Sequence, residues 1–173
     1  MNRDEITSLL EELAAELAAT GTRGELLVVG GAAMALAYST RRSTSDLDAI
    51  FEPKQVIYDA ARSIAERRAL PTGWLNDAVK GFLPGPDPNA TVFLDRPGLV
   101  VRIASARYLL AMKLLASRVE RDEDDIVVLL RLARITTLDE ALALVADLYP
   151  AAAIPPKVRY LVAELLETPP TPQ

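Results

Sequence analysis

The sequence of 173 residues contains no cysteine and no histidine. The chain therefore has no disulfide framework, no thiolate or imidazole ligand for zinc, and no catalytic triad or dyad that uses either residue. Aromatic residues are scarce as well, at 5% of the chain with one tryptophan. Any catalysis must therefore depend on carboxylates, Lys or Arg, hydroxyl groups and a bound metal ion.

The sequence also lacks a long apolar run, since no segment approaches the ~20 residues that span a bilayer. Its first residues, MNRDE, lead into an amphipathic pattern and do not resemble a signal peptide. With the missing cysteines, these features predict a cytoplasmic protein without membrane contact. The net charge of −5 argues against general nucleic-acid binding. Arginines do cluster locally, either as solvated surface charges or as a phosphate-binding face.

Hydrophobic periodicity predicts an α+β fold, with a small mixed sheet flanked by helices and followed by a C-terminal helical bundle. Four strands are predicted, over 25–29, 47–52, 90–95 and 98–105. Helices are predicted over 4–19, 32–39, 54–69, 106–119, 123–135, 138–149 and 157–167. We expect an α/β core with an N-terminal helix over 1–104, a helical bundle packed on it over 105–168, and a flexible tail over 169–173.

The most informative stretch is LLVVGGAAMALAYSTRRSTSDLDAIFE, which reads as strand, double glycine, short helix, loop and second strand. Gly30 and Gly31 can bring backbone N–H groups against a phosphate, or can simply let a helix pack closely on a strand. Asp46 and Asp48 are two residues apart in a strand, so their side chains share one face. They favour a divalent cation there, although Asp46 could instead cap the strand or pair with a neighbouring arginine. Phosphate-binding glycines beside paired carboxylates for Mg²⁺ are typical of nucleotidyl-transfer sites.

A third carboxylate often completes a two-metal site, and the candidates are Asp95, Asp122 and Asp125. The last two are also explained by the preference for acidic residues at a helix N-terminus. Lys113 lies in an apolar helix, where it must extend to solvent or bind an anion. With Arg118, it could flank a triphosphate.

The segment Trp74-Leu75-Asn76-Asp77 is interpreted as a lid or base-binding element, which would bring Asn76 and Asp77 near a nucleotide. The single tryptophan could instead anchor the core. Further candidate nucleotide ligands lie in the loop before the paired aspartates: Arg41, Arg42 and Thr44.

Together these segments resemble the bacterial nucleotidyltransferase-fold family of the polymerase-β-like superfamily, which includes AbiEii-type and MenT-type toxins. The resemblance runs over residues 26–132 and is carried by VVGGAAMAL, RRSTSDLDAIF, WLNDAVKGFL and RYLLAMKLLASR. The K-x4-[KR] spacing from Lys113 to Arg118 and the D-x-x-D from Asp122 to Asp125 are closer to the toxins. The resemblance implies a minimal nucleotidyltransferase fold.

The resemblance also implies a role for each part of the motif. Asp46 and Asp48 would bind Mg²⁺ in a two-metal site, with Mn²⁺ as an alternative. Gly30, Gly31 and the helix after them would hold the phosphates of an NTP.

The later motif would complete the site. Lys113 and Arg118 would neutralise the triphosphate, and Asp125, or else Asp122, would complete the acidic set. The sequence departs from the superfamily at the strand LVVRIA, where Arg102 occupies the stretch that often carries the third carboxylate.

Some members of that family add nucleotides to the 3′ end of tRNA, which blocks translation and is opposed by a cognate antitoxin. The implied function is Mg²⁺-dependent transfer of NMP from an NTP to an acceptor hydroxyl, with tRNA as acceptor and an antitoxin protein as partner. Two alternatives stay open. One is NMP transfer to a protein or small molecule, which the net acidity favours, and the other is a catalytically inactive binding protein, which Arg102 favours.

Overall fold

The structure is a computed structural model, and it describes residues 1–38, 43–116, 119–150 and 155–167, with the backbone alone for 119–121. The chain divides into two units. One comprises Met1–Gly81 and Pro88–Ala104, and the other comprises Phe82–Asp87 and Ser105–Gln173. In the described ranges, no helix combines the length and apolarity needed to cross a membrane.

The first unit contains a mixed sheet of five strands. They are β1 (Gly24–Val28), β2 (Leu47–Glu52), β3 (Leu75–Asn76), β4 (Thr91–Arg96) and β5 (Leu99–Ile103). The strand order is β3-β2-β1-β5-β4, with β1 antiparallel to β2 and parallel to β5. β3 is parallel to β2, and β4 and β5 form an antiparallel hairpin. The α+β class and the four predicted strands are confirmed, whereas β3 is an addition because two residues are too few to show a periodic pattern.

The helices of the first unit are α1 (Arg3–Ala19), α2 (Gly30–Ala33) with a π-helical continuation over Met34–Tyr38, α3 (Lys54–Arg68) and a 3-10 turn over Ala78–Phe82. α1 begins at a capping box in which the side chains of Asn2 and Glu5 bond to each other's backbone N–H groups. α1 packs against α3. The segment 74–83, for which no regular element is predicted above, contains β3 and the 3-10 turn.

The helices cover one face of the sheet, and the alternation in β2 shows which side chains face them. Leu47, Ala49 and Phe51 are buried, whereas Asp48 and Ile50 are only half-buried. This alternation places Asp48 on the face opposite the apolar residues, as predicted, whereas Asp46 lies in the bend just before β2. The core of this unit therefore lies on the apolar side of β2, and the opposite face of β2 carries Asp48.

Gly98 lies in the β4–β5 turn, directly against α1. A Cβ atom there would overlap the backbone of Ala14 and Ala18. We expect Gly98→Ala to lower the free energy of unfolding by about 1–3 kcal/mol, because backbone atoms cannot move aside as a flexible side chain can. Urea denaturation measures the change. Gly81→Ala is the control, since nothing lies within 4 Å of its added Cβ; equal stability of the two variants would contradict the packing described.

The second unit is helical. Its helices are α4 (Ala106–Ala116), α5 (Val119–Ala133), α6 (Leu138–Leu148) and α7 (Pro156–Glu167). α4 packs against α5 and α6, and α7 packs against α5 and α6. Thr137 caps α6 through a capping box with Glu140, as its position predicts. α5 begins before the predicted residue 123, so Asp122 lies within the helix and is not its N-cap.

The segment Phe82–Asp87 belongs with the helical unit, although the sequence analysis assigned it to residues 1–104. The carboxylate of Asp87 accepts hydrogen bonds from the backbone N–H (2.7 Å) and hydroxyl (3.1 Å) of Ser105. The hydroxyls of Tyr108 and Tyr149 donate to the carbonyls of Gly85 and Phe82, both at 2.7 Å. Burial raises the pKa of Tyr108 to about 12, so this hydroxyl remains a donor at neutral pH. These side-chain contacts are not visible as a local sequence pattern.

Candidate functional site

The double glycine lies beside the paired aspartates because β1 and β2 are antiparallel neighbours. Val28 is paired with Ala49, and the next backbone N–H, that of Val29, donates to the carbonyl of Asp48 at 2.9 Å. The chain leaves β1 at this point. The first residue of α2, Gly30, is therefore held against the start of β2.

Gly30 has a left-handed backbone conformation, with φ at +62°. A Cβ atom at this position would lie 3.0 Å from Oδ2 of Asp48, closer than nearly all real Cβ contacts. Gly30 and Gly31 are both only half-buried. Glycine is thus required here for two reasons, since it adopts this φ without strain and leaves the backbone open beside a carboxylate oxygen.

Gly30→Ala tests whether this close approach matters for cation binding. Gly21 also has positive φ, at +69°, but nothing lies within 4 Å of its added Cβ. Both alanine variants should lose about 1–2 kcal/mol of stability through backbone strain. Only Gly30→Ala should also weaken binding of Mn²⁺, followed by paramagnetic resonance, because its methyl group crowds Asp48. Equal Mn²⁺ affinity of the two variants would count against the site.

The carboxylate of Asp46 is held by two neutral donors. Its Oδ1 accepts a hydrogen bond of 2.8 Å from the hydroxyl of Ser45, and its Oδ2 accepts one of 3.2 Å from the side-chain amide of Asn76. Neither donor carries a charge, so both orient the carboxylate without cancelling its negative charge. The alternative pairing of Asp46 with Arg41 or Arg42 lies outside the described residues.

Thr44, predicted as a nucleotide ligand, is part of the backbone frame of this loop. Its hydroxyl donates to the carbonyl of Asp46 at 3.2 Å, and its N–H donates to the carbonyl of Met1 at 2.8 Å. Thr44 therefore helps to shape the approach to Asp46. The other predicted loop ligands, Arg41 and Arg42, lie outside the described residues.

The fit of Mg²⁺ to this site depends on Asp46 and Asp48. In the described ranges, no cluster of three or more acidic side chains is arranged to hold a metal ion. Mg²⁺ does not need one, because it keeps several waters and commonly binds through one or two carboxylates together with substrate phosphates. Asp46, just before β2, and Asp48, on the half-buried face of β2, offer hard oxygen ligands of the kind that this ion prefers.

The WLND segment supplies structure around the site. Trp74 is 1% exposed, and its indole N–H donates to the carbonyl of Ala61 on α3 at 2.9 Å. Trp74 is therefore a core anchor, and its interpretation as a surface for stacking a base is wrong.

Asp77 faces away from Asn76 and binds two residues of α3. The hydroxyl of Tyr58 donates to its carboxylate at 2.6 Å, and the ammonium of Lys54 forms an ion pair with it. The hydrogen bonds from Lys54 and then Tyr58 hold the pKa of Asp77 below its usual range. Asp77 thus fixes the end of β3 to the start of α3.

The predicted residues of the later motif contact one another in the helical unit. The ammonium of Lys113 lies 2.8 Å from Oδ1 of Asp122 and 2.9 Å from Oδ2 of Asp125. All three residues are at most 9% exposed. Lys113 therefore binds an anion within the protein, one of the two possibilities that its apolar helix suggested. Its partner in the phosphate-binding prediction, Arg118, lies outside the described residues.

The alternative carboxylate Asp95 does not join the site. In the sheet register, Asp95 on β4 is paired with Val100 on β5, and Val100 is paired with Glu25 on β1. Glu25 is paired in turn with Glu52, the last residue of β2. Four residues along the strand separate this row from Asp48, a distance of about 13 Å. Asp95 forms an exposed ion pair with Arg23 at 2.7 Å.

The cationic side chain of Arg102 lies on the same sheet face as Asp48. The register aligns Arg102 with Leu27, and Leu27 with Ile50, which is two residues from Asp48. Its guanidinium forms an ion pair with Glu25 at 2.9 Å. The strand stretch in which the sequence offers no third carboxylate thus carries a cation that already has a partner.

Other predicted surface arginines also have partners. Arg67 forms ion pairs with Glu12 and Glu16 of α1, and Arg68 forms one with Glu12 at 2.9 Å. This arginine pair on α3 therefore joins two helices and is not a free phosphate-binding face.

The two neutral donors that hold Asp46 are not predicted as such from the sequence. Ser45 is adjacent in sequence, and a hydroxyl next to the motif was a visible signal. Asn76 was predicted to lie near the nucleotide, but its contact with Asp46 depends on the pairing of β3 with β2, which no local pattern shows.

Comparison with known proteins identifies the family. A family model described as "Nucleotidyltransferase of unknown function (DUF6036)" matches residues 4–138, well over half of the chain. Neither the curated proteins nor the solved structures include a match to this chain. The matched region contains the double glycine, both motif aspartates, Asn76 and the Lys113 cluster. The chain therefore belongs to the DUF6036 family of nucleotidyltransferases.

Proposed function

We propose that this protein is an Mg²⁺-dependent nucleotidyltransferase that transfers NMP from an NTP to an acceptor hydroxyl. The observation that carries the proposal is the close approach of Gly30 to Asp48: a Cβ atom added at Gly30 would lie 3.0 Å from Oδ2 of Asp48, and Asp46 comes two residues earlier in the chain. A backbone open to phosphate thereby adjoins paired ligands for a divalent cation.

The residues of the chain act in this reaction by positioning and by charge, which suits a protein without histidine or cysteine. Gly30 and Gly31 offer backbone N–H groups at the start of α2 to the phosphates. Asp46 and Asp48 would hold the metal, with Ser45 fixing one oxygen of Asp46. When bound, Mg²⁺ neutralises the phosphates and activates the attacking hydroxyl. The acceptor oxygen bonds to the α-phosphorus, and pyrophosphate leaves.

The proposed acceptor is the 3′ end of tRNA, and the proposed biological role is that of a toxin opposed by an antitoxin protein. Both are supported by the resemblance to AbiEii-type and MenT-type proteins. Because the net charge is −5, RNA binding must depend on local arginines, and it should weaken steeply with salt. The roles that the resemblance implies for Lys113, Arg118 and Asp125 stay predictions.

A label-transfer assay tests the function directly. Pure protein is incubated with Mg²⁺, total tRNA and each α-labelled NTP in turn, beside the double variant Asp46→Asn/Asp48→Asn. Asp95→Asn is the matched control, because it removes a strand carboxylate at the other end of the sheet. We expect label on RNA with the wild type and the control, but not with the double variant.

The destination of the label separates the alternatives. Label on the protein itself or on a small molecule would replace tRNA as the acceptor and retain the transferase. A different result would favour the inactive binding protein: no NTP labels any acceptor, although the protein is folded and binds nucleotide in the presence of EDTA. The specific observation for this alternative is Arg102 in place of a third carboxylate.

A further inference from the structure

We propose that Asn76 is a positioning residue that sets the affinity of the site for its divalent cation by fixing the carboxylate of Asp46. The inference rests on the proposed function, since it concerns the same metal site. It goes beyond that function by assigning to β3, a strand of two residues, a role in cation binding.

β3 is held in place by the core and not by its own length. The indole of Trp74 is anchored to α3, and the carbonyl of Trp74 accepts a hydrogen bond of 2.7 Å from the N–H of Leu47. Leu75 is then paired with Leu47, and Asn76 with Asp48. This register delivers the side chain of Asn76 to the edge of the paired aspartates.

The oxygen and the nitrogen of the Asn76 side-chain amide each form a hydrogen bond. Its Oδ1 accepts the N–H of Ala78 at 3.1 Å, so the carbonyl end of the amide points to the backbone. The Nδ2 end is then directed to Oδ2 of Asp46, at 3.2 Å. The next residue, Asp77, binds Tyr58 and Lys54 of α3, and these contacts fix the backbone that follows Asn76. The amide therefore has little freedom to turn away from Asp46.

The chemistry of this donor suits a ligand of a metal ion. Outer partners that orient a ligating carboxylate typically change metal affinity or activity by about 10–100-fold when they are removed. A lysine or arginine in this place would also cancel the charge that attracts the cation. The neutral amide of Asn76 fixes the orientation of Asp46 and leaves its full charge available.

The test is direct binding of Mn²⁺ without nucleotide, followed by paramagnetic resonance of the free ion. Asn76→Ala and Asn76→Leu both remove the donor, and the leucine variant retains the volume of the side chain. Asp95→Asn is the control, because it changes a polar strand residue at the other end of the sheet, in an exposed ion pair with Arg23. We expect the Kd for Mn²⁺ to rise about 10–100-fold in both Asn76 variants and to stay within about twofold of the wild type in the control.

A second readout separates positioning from loss of folding. Thermal denaturation without metal should give nearly the same midpoint for wild type and Asn76→Ala, and activity of the variant should recover at high Mg²⁺. If the wild type binds Mn²⁺ and a folded Asn76 variant binds it with the same affinity, the role of Asn76 is overturned and the proposed function is not. A wild type that binds no Mn²⁺ would overturn both this inference and the proposed function. Weakened Mn²⁺ binding without any label transfer would retain the inference and overturn the transferase.

Discussion

Replacement of Asp46 or Asp48 by asparagine is expected to lower the rate of nucleotidyl transfer by about 10²–10³-fold, and the double replacement to abolish it. Each change retains the size of the side chain and removes one of the two charges that face the cation. The loss should appear in kcat at saturating NTP, because the reacting phosphate and hydroxyl lose the charge that stabilises the transition state. Steady-state label transfer measures it.

The same variants should fold as well as the wild type, which distinguishes a site from a structural feature. Among the described residues, the partners of the Asp46 carboxylate are the neutral side chains of Ser45 and Asn76, and an asparagine there keeps an oxygen that can accept a hydrogen bond, so Asp46→Asn removes no ion pair with them. We expect the free energy of unfolding without metal to change by less than about 1 kcal/mol. Asp95→Asn should leave both activity and stability close to wild type. Full activity of Asp46→Asn or Asp48→Asn would refute the assignment of the cation site.

The central motif could be predicted because its chemistry is local. Two glycines at the end of one strand and two aspartates at the start of the next are close in sequence, and the period of a strand decides the face on which Asp48 lies. The structure adds the antiparallel pairing of β1 with β2 and the positive φ of Gly30. Both agree with the sequence pattern, since only glycine is suited to that conformation beside a carboxylate.

The surroundings of the motif could not be predicted because they depend on tertiary contacts. A strand as short as β3 exists only because Trp74 is buried against α3 and its carbonyl is bonded to Leu47. Two residues are too few to show the alternation of a strand, so neither β3 nor the role of Asn76 could be predicted from the sequence. Trp74 itself was ambiguous, because an indole can serve as core or as stacking surface, and burial alone decides between them.

The Lys113 cluster shows a different limit of sequence reasoning. An apolar helix with one lysine indicates that the ammonium needs an anion, but not which one. In the structure the anions are Asp122 and Asp125, one helical turn apart on α5 and therefore on the same face. The participation of Lys113 in triphosphate binding stays a prediction, and a nucleotide would have to compete with two carboxylates for the ammonium.

The second large effect is expected from Lys113→Met, which retains the apolar stem and removes the charge. Two buried carboxylates would lose the cation that they share, and removing one partner of a buried ion pair costs about 3–5 kcal/mol. We expect the helical unit to lose that much stability, measured by urea denaturation with circular dichroism. Lys54→Met is the matched control: the side chain of Lys54 is 46% exposed, and Asp77 keeps the hydrogen bond from Tyr58, so the loss of this ion pair should cost about 1 kcal/mol.

The stability that Lys113→Met loses can come from uncompensated carboxylate charge or from altered packing of the side chain. Neutralising Asp122 and Asp125 as well separates these two causes. In the triple variant Lys113→Met/Asp122→Asn/Asp125→Asn these three side chains carry no charge, so the penalty for burying two carboxylates without the Lys113 ammonium disappears. We expect the triple variant to recover at least half of the stability that Lys113→Met loses. A triple variant as unstable as Lys113→Met would show that the ammonium stabilises the unit by packing of its stem. A stable Lys113→Met protein would show that the two aspartates have sufficient partners without it, and would leave the ammonium available for phosphate.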